Sequence, residues 1–376
     1  MKFYLISFLL AFSVFSGCAV FQEGDNSEIV KVQPSDISTK DRIMGSIMGV
    51  LIGDALGLGC HWYYNLENLK KDFGPWISEY HDPKPDGSCR LLKVHQHRYN
   101  EGVRAGDVSQ TGQFYIMLLE SIVEKEGYDR VDFASRIDKF FETIDGKAYS
   151  GRYTDMAIRE TWKNRHNGVE WDDPKVGSNA ITSEAAQINA ILAALYYKDP
   201  VQVVKQANQN TKLFYYNDFA ITHSVAYSIV VSGLINDVPL KGITQYIRSI
   251  NRSTLRQYAP YNDSQIQVQT GESALDPEIT FEPPHLISKV YGQHCEIQQL
   301  LPAAYYLVHR YPDDFEMAVL SAINGGGNNM ARAALTGGMS GAMVGFKGIP
   351  VRFIQGLKNH KYLLKLAEAI ADLAEK

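Results

Sequence analysis

Two runs of glycine, each with a spacing of four residues, are the feature that most constrains how this chain can fold. The first run comprises Gly45, Gly49, Gly53 and Gly57, and the second comprises Gly337, Gly341 and Gly345. Inside a helix, glycine costs up to about 1 kcal/mol relative to alanine, so a repeated glycine face needs a compensating contact. Small residues at every fourth position allow two helix backbones to approach closely. The spacing therefore predicts two buried and tightly packed helices.

Apolar residues elsewhere recur at helical spacing, and no segment alternates convincingly in the manner of a strand. Three examples are Phe133, Ile137, Phe140, Phe141 and Ile144; Ile297, Leu300, Leu301, Ala304 and Val308; and Leu363, Leu366, Ile370 and Leu373. About ten segments follow this rule. The proline-containing stretches 82–87 and 258–284 indicate loops. We expect one all-α domain over residues 41–376.

Composition excludes several classes of protein. Lys and Arg number 37 and Asp and Glu number 42, which gives a net charge of −5 and a pI near 6.1. This balance lacks the basic footprint of a nucleic-acid-binding protein, so no nucleic-acid partner is expected. Four cysteines are too few for a disulfide scaffold in a chain of this length. They include no CxxC pair, which argues against a thiolate zinc site.

The N-terminus has the pattern of a secretory signal: Lys2, then an apolar run over 3–15, then small residues. Ser16 and Gly17 directly precede Cys18, as at a bacterial lipoprotein cleavage site. We expect residues 1–18 to be a signal with lipidation on Cys18, and the polar residues 19–40 to be a flexible tether. The alternative is a plain cleaved signal. The expectation is an exported, membrane-anchored lipoprotein of the cell envelope, on the periplasmic face or the cell surface.

Four short motifs follow one another along the chain: residues 45–57 read GSIMGVLIGDALG, residues 106–113 read GDVSQTGQ, residues 177–180 read GSNA and residues 325–334 read GGGNNMARAA. In this order and spacing they resemble the ADP-ribosylglycohydrolase family. The glycine tail to Gly345 and the segments GIP at 348–350 and FIQGL at 353–357 extend the last of these. The resemblance covers most of residues 41–357.

The resemblance implies an all-α helical bundle that removes ADP-ribose from modified side chains or related conjugates. It also implies two Mg²⁺ ions, held by Thr-Asp-Asp at the start of one helix and Asp-x-Asp-Thr at the start of a late helix. The ligand would be a small molecule of the ADP-ribose type.

The chain departs from the family at these metal positions. Ser109-Gln110-Thr111 stands where the family has Thr-Asp-Asp, and Asn328-Asn329-Met330-Ala331 stands where it has Asp-x-Asp-Thr. Neutral oxygens of Gln110, Thr111 and Asn328 are weak metal candidates, because Mg²⁺ gives up its water reluctantly. We therefore expect a degenerate metal site that does not bind Mg²⁺ tightly.

The candidate catalytic residues are His61 and Asp54. In the loop after the first helix, several family members have an acidic catalytic residue; His61 falls nearest to that position in the sequence, and we expect it on the rim of the pocket. For Asp54 the structural alternative is a buried carboxylate that accepts bonds from backbone amides at a neighbouring helix start. Arg332 could reach a phosphate or be an ordinary surface arginine. Asp107, with Gln110, has capping-box spacing. The expected ligand-binding residues are Ser109, Gln110, Thr111, Gly177, Asn179, Asn328, Asn329 and Arg332.

Three functions remain open, and with them whether the chain is an enzyme. The first is a divergent hydrolase of an ADP-ribosyl or related N- or O-glycosidic bond, and the second is a non-catalytic ligand-binding protein that keeps the fold and the pocket. The third is the hydrolysis of some other N- or O-glycoside without a metal, by Asp or Glu with His61. Carboxylates near Gln110 and Asn328 would favour hydrolysis.

The lipidation hypothesis predicts the behaviour of Cys18→Ser. This variant should move from the membrane fraction to the soluble fraction, since we expect no apolar run beyond residue 20 to be long enough to span a bilayer. Fractionation followed by a high-salt wash measures this. A variant that stays with the membrane would show that Cys18 is not the anchor.

Overall fold

The computed structural model describes residues 37–260, residue 271 and residues 273–376. Cys18, the predicted signal and most of the predicted tether lie outside the described residues. The last tether residues already belong to the folded domain: α1 begins at Thr39, and the hydroxyl of Ser38 accepts a hydrogen bond from the Asp41 backbone N–H at 3.2 Å. The domain thus begins slightly before the predicted boundary at residue 41.

Within the described residues the chain forms seventeen α-helices and no β-strand, which confirms the all-α prediction. The sequence predicted fewer helices because several are only five to seven residues long and show no clear apolar period. The helices are α1 (Thr39–Leu58), α2 (Leu66–Phe73), α3 (Leu92–Asn100), α4 (Gln110–Lys125), α5 (Arg130–Phe141), α6 (Met156–His166), α7 (Glu184–Leu195), α8 (Pro200–Thr211), α9 (Asp218–Ile235), α10 (Ile243–Ser249), α11 (Arg252–Tyr258), α12 (Ile287–Tyr291), α13 (Ile297–Arg310), α14 (Phe315–Asn324), α15 (Asn329–Val344), α16 (Val351–Gly356) and α17 (His360–Glu375).

The glycine faces of α1 and α15 meet, as predicted. A Cβ atom added to Gly45 would lie 2.2 Å from the Gly341 carbonyl oxygen, and one added to Gly49 would lie 2.1 Å from that of Gly337. Towards the end of α1, a Cβ on Gly57 would lie 2.4 Å from the Cα of Met330. Rising numbers on α1 pair with falling numbers on α15, so the two helices are antiparallel and in backbone contact.

Helices α7 and α9 form much of the surrounding core. Every residue of α7 is buried, and so are residues 220–235 of α9. By length and composition alone α9 could cross a membrane, which corrects the expectation that no such run follows residue 20. In the fold, 89% of α9 is buried inside the domain, as is typical of the core helix of a globular protein.

The start of α4 is capped by a different residue from the one predicted. Ser109 is the N-cap, and its hydroxyl accepts a hydrogen bond from the Gly112 N–H at 3.1 Å. Asp107 instead forms ion pairs with Arg152 at 3.1 Å and with Lys358 at 3.0 Å. The capping-box prediction is wrong because the hydroxyl of Ser109, which directly precedes α4, caps the helix instead.

The backbone contact predicts a steric cost for Gly49→Ala. The new methyl group collides with the Gly337 carbonyl, so we expect a loss of about 1–3 kcal/mol in unfolding free energy, as for other overpacked cores. The matched control is Gly127→Ala, whose added Cβ would have its nearest neighbour at 3.9 Å. Urea unfolding measures both, and equal stabilities would contradict the packing argument.

Candidate functional site

The carboxylate of Asp54 fastens the start of α4 to α1. Its Oδ2 accepts a hydrogen bond from the Ser109 N–H at 2.6 Å, and its Oδ1 accepts one from the Ser109 hydroxyl at 2.5 Å. Burial raises the pKa of Asp54 to about 6, and the bonds from Ser109 oppose that rise. The structural interpretation of Asp54 is therefore confirmed, and the same bonds engage the Ser109 hydroxyl. A catalytic role for Asp54 stays a prediction.

His61 lies in the loop after α1 and is buried, with 1% of its surface exposed. Because the side chain is buried, the prediction that it lies on a pocket rim is wrong. Its Nδ1 lies 3.1 Å from the side-chain oxygen of Asn329. That oxygen accepts, so Nδ1 carries the proton. Burial, followed by the charge of Arg98, holds the pKa of His61 well below its ordinary value. The imidazole is consequently neutral near pH 7.

Asn329 is used to hold this loop. Its side-chain amide donates to the carbonyl oxygens of Cys60 and Ile323, each at 3.2 Å. Together with the contact to His61, these bonds fix the first turn of α15 against the loop that follows α1. The predicted ligand-binding role of Asn329 stays a prediction, since its amide is already engaged.

Gln110 and Thr111 are buried in the first turn of α4. The Gln110 side-chain N–H donates to the hydroxyl of Thr154 at 3.1 Å. Its Oε1 is buried and has no hydrogen-bond partner within the described part of the chain. A buried acceptor without a partner carries a free-energy cost that a ligand or a water would remove.

Asn328 occupies the matching position at the start of α15. Its backbone N–H donates to the Gln293 carbonyl at 2.8 Å, and its side-chain Oδ1 is buried without a partner among residues 37–260, 271 and 273–376. Met330 packs in an apolar cluster with Leu58 and Val103. The first turn of α15 thus presents one unsatisfied amide oxygen beside an apolar side chain.

Both helix starts contact the end of α1. Asp54 binds Ser109 of α4, and Gly57 abuts Met330 of α15. These two attachment residues are three apart, which is about 4.5 Å along a helix axis. The placement favours the prediction that Gln110 and Asn328 share one pocket, and their side-chain separation stays a prediction.

The segment with Gly177 and Asn179 is held against residues 214–217. The Ser178 N–H donates to the Phe214 carbonyl at 2.8 Å, and Asn179 Oδ1 accepts from Asn217 at 3.1 Å. A Cβ on Gly177 would lie 2.4 Å from the Tyr215 backbone nitrogen, which explains the glycine. These contacts give both residues a local structural role, and ligand binding by them stays a prediction.

Arg332 is neither a surface residue nor in contact with solvent: it is 0% exposed. Its guanidinium donates to the Ala322 carbonyl at 2.8 Å and to the Gly326 carbonyl at 2.6 Å. Burial lowers its pKa to about 9. The cation therefore caps the carboxyl end of α14, where the helix dipole favours positive charge.

Asp155 is a functional candidate that the sequence did not reveal. It occupies the N-cap position of α6, yet its side chain makes no capping bond. Burial, followed by the nearby charge of Glu184, raises its pKa to about 7, against the opposing charges of Arg98 and Arg159. Asp155 is thus a carboxyl group that keeps a proton near neutral pH.

Glu184, the first residue of α7, is the second missed candidate. It is 7% exposed, and its Oε2 accepts hydrogen bonds from the Thr182 hydroxyl at 2.5 Å and from the Tyr215 hydroxyl. No bond from a described residue to its Oε1 is seen. In the sequence, both Asp155 and Glu184 have the pattern of ordinary helix starts, so only the fold brings the two groups together.

Arg98 of α3 lies among these acidic groups. It is 2% exposed and donates to the Arg152 carbonyl at 3.3 Å and the Leu58 carbonyl at 3.4 Å. Burial lowers its pKa, and the charges of Asp155 and Asp54 oppose that change. The candidate site therefore combines three carboxyl groups and one buried guanidinium, and the presence of the two unsatisfied amide oxygens in the same pocket stays a prediction.

These residues do not fit a centre of two Mg²⁺ ions. The Ser109 hydroxyl is bound to Asp54, and Met330 lies in an apolar cluster. Among the residues the structure describes, no group of three or more His, Cys, Asp or Glu is arranged to hold a metal ion. A strongly hydrated cation requires carboxylate ligands that the two helix starts do not supply.

A model of the ADP-ribosylglycohydrolase family matches residues 35–376. A solved structure described as an ADP-ribosylglycohydrolase-related protein complex aligns with a TM-score of 0.62 and 19% identity, over 90% of this chain and 99% of that chain. At this identity the alignment establishes a shared fold.

Two relatives match over nearly their whole length. An uncharacterized protein of Archaeoglobus fulgidus is 24% identical over 337 residues, which is 89% of this chain and 97% of that protein. Crystallin J1A of Tripedalia cystophora is 21% identical over 347 residues, which is 91% of this chain and 100% of that protein.

The donor set predicts that Mg²⁺ does not bind tightly. Calorimetric titration of the domain with MgCl₂ should show no saturable heat, because the four aspartates of the family pattern are replaced. Two sites per chain with micromolar affinity would contradict the prediction.

The environment of Asp155 predicts that Asp155→Asn increases the free energy of unfolding by an amount that depends on pH. In the native state the raised pKa keeps the carboxyl protonated up to about pH 7, whereas the unfolded chain releases that proton near pH 4. Native wild-type protein therefore loses stability relative to the variant as the pH rises from 4 to 7, by at most about 1.4 kcal/mol per pH unit. Urea unfolding at several pH values measures this, and parallel pH profiles would refute it.

Proposed function

The chain belongs to the ADP-ribosylglycohydrolase family, and we propose that it hydrolyses an ADP-ribosyl or related N- or O-glycosidic bond with paired carboxyl groups instead of paired metal ions. One observation carries the proposal. Asp155 sits at a helix start without capping it, keeps its proton near neutral pH and lies close to the carboxylate of Glu184. Glycoside hydrolysis uses such a pair, one member as acid and the other as base or nucleophile.

In this mechanism Asp155 is the general acid. It donates its proton to the nitrogen or oxygen of the leaving group while the glycosidic bond breaks and its electron pair stays on that atom. Water adds to the anomeric carbon, and Glu184 accepts the proton that the water loses. Exchange with solvent returns a proton to Asp155 and removes one from Glu184, so the cycle closes without a redox step.

The surrounding charges suit such a reaction. Asp54, Glu184 and, after proton transfer, Asp155 carry negative charge near the position of a developing oxocarbenium ion. Arg98 lies among them and limits their mutual repulsion. Because His61 is neutral and bound to Asn329, it is better suited to hold the loop than to be the proton donor.

The second candidate is a ligand-binding protein without turnover. The unpaired amide oxygens of Gln110 and Asn328 favour it, since such groups bind hydroxyl and N–H donors without chemistry.

We also propose that the chain acts in the cell envelope, held by the lipidated Cys18, as the N-terminal residues predict.

A substrate panel tests the proposal. Purified protein is incubated with ADP-ribosylated peptides, nucleosides and 4-nitrophenyl glycosides, and the released sugar is measured by chromatography. For a cleaved substrate, Asp155→Asn should lower kcat by about 10²–10⁴, the usual contribution of a general acid. The kcat of the wild type should fall as the pH rises above about 7, because Asp155 then loses the proton it must donate.

The control is Asp199→Asn, the same chemical change at the N-cap of α8. The side chain of Asp199 accepts hydrogen bonds from the backbone N–H groups of Val201 and Gln202. Asparagine performs this capping role equally well, so activity should be retained. Equal activity of the wild type and Asp155→Asn would overturn the mechanism. Binding of a panel member without any turnover would support the second candidate.

A further inference from the structure

Four aromatic side chains form a row that leads from the candidate site towards the surface. Trp62 packs on His61 with ring centroids 4.6 Å apart and meets Tyr153 edge to face at 5.0 Å. Tyr153 meets Tyr149 at 5.8 Å, and Tyr149 meets His97 at 5.6 Å. We call Trp62, Tyr153, Tyr149 and His97 the aromatic row. Its inner end is buried, and Tyr149 at its outer part is 50% exposed.

The backbone holds the inner rings in a costly conformation. Trp62 has φ of 65° and Tyr153 has φ of 81°, in the left-handed region that bulky side chains rarely adopt. Two such residues in contact concentrate strain at one place, which is typical of functional sites. The guanidinium of Arg98 lies near both rings, 5.6 Å from that of Trp62 and 5.9 Å from that of Tyr153.

The row is continuous with the proposed proton donor. Tyr153 is two residues before Asp155, and the charge of Asp155 acts on its hydroxyl. Met156, the next residue in the chain, is 47% exposed and adds apolar surface. A general acid must lie within hydrogen-bond reach of the leaving-group atom, so the group that departs from the sugar must lie beside Tyr153.

We propose that the aromatic row is the subsite for the leaving group, and that this group is a planar aromatic or heteroaromatic ring. Flat rings stack on such side chains or meet them edge to face, in the geometry that the row already shows internally. The inference rests on the proposed function, because it takes Asp155 as the acid. It adds the class of bond: an aryl glycoside or an N-glycoside of a heteroaromatic base.

Binding of free rings tests the subsite without turnover. The probes are 4-nitrophenol and adenine, with cyclohexanol as a non-planar control, and dissociation constants are measured by NMR titration. Tyr149→Ala changes an exposed side chain, so the domain should still fold. It should weaken binding of both planar probes about threefold to tenfold, the effect of one aromatic pair.

The matched control is Tyr362→Ala, since Tyr362 is 47% exposed and lies on α17. This control should leave both dissociation constants unchanged. Equal effects of the two variants, or cyclohexanol binding as tightly as 4-nitrophenol, would overturn the inference. Where the protein cleaves a 4-nitrophenyl glycoside, Tyr149→Ala should raise KM by a similar factor and leave kcat nearly unchanged.

The two proposals fail in different ways. Asp155-dependent hydrolysis combined with ring binding that ignores Tyr149 would overturn the subsite and leave the proposed function standing. Hydrolysis that survives Asp155→Asn would overturn the mechanism, and with it the assignment of the row as a leaving-group subsite, even if planar rings bind there.

Discussion

The direct contact between the backbones of α1 and α15 is the constraint on which the rest of the structure depends. Carbonyl oxygens of one helix face the Cα atoms of the other, as in Cα–H···O contacts. This approach leaves no room for a methyl group at several positions, so the depth and the register of α15 are fixed. The first turn of α15 is thereby set beside the last turn of α1, where the polar site begins.

Around that contact, three buried ionisable side chains bind backbone groups at helix ends. Asp54 receives bonds from the start of α4, and Arg332 donates to the end of α14. Arg42 similarly donates to the carbonyls of Ala342 and Met343 at the end of α15. These side chains complete helix ends that would otherwise leave buried groups without partners. Among the described residues, the carboxyl of Asp155 makes no such bond to the start of α6, which distinguishes it from Asp54, Arg332 and Arg42.

The sequence predicted those features of the fold that depend only on the type and spacing of residues within one helix. Glycine at every fourth position predicted the α1–α15 contact because sterics alone decide it. The position of His61 was missed because its burial depends on Asn329, 268 residues away. The carboxyl pair was missed because Asp155 and Glu184 each begin a helix, and their proximity depends on how α6 and α7 pack.

The Asp107 prediction failed for a related reason. Spacing identified a plausible cap, but Arg152 and Lys358 approach from distant parts of the chain and engage its carboxylate. Local propensity cannot weigh a tertiary partner against a local one. The role of such a charged residue can therefore be assigned only when its partners in the fold are known, whereas the role of the glycines follows from their size and spacing alone.

The direction of α1 decides which way the site faces. Fifteen residues separate Thr39, where α1 begins, from Asp54, a distance of about 22 Å along the helix axis. The C-terminal helix ends on the same side as the start of α1, since Lys40 pairs with Asp372 at 2.6 Å. The start of α1 and the last helix therefore meet at the end of α1 opposite Asp54. A fusion partner, an affinity tag or a solid support joined after α17 would be attached at that end of the domain, away from Asp54.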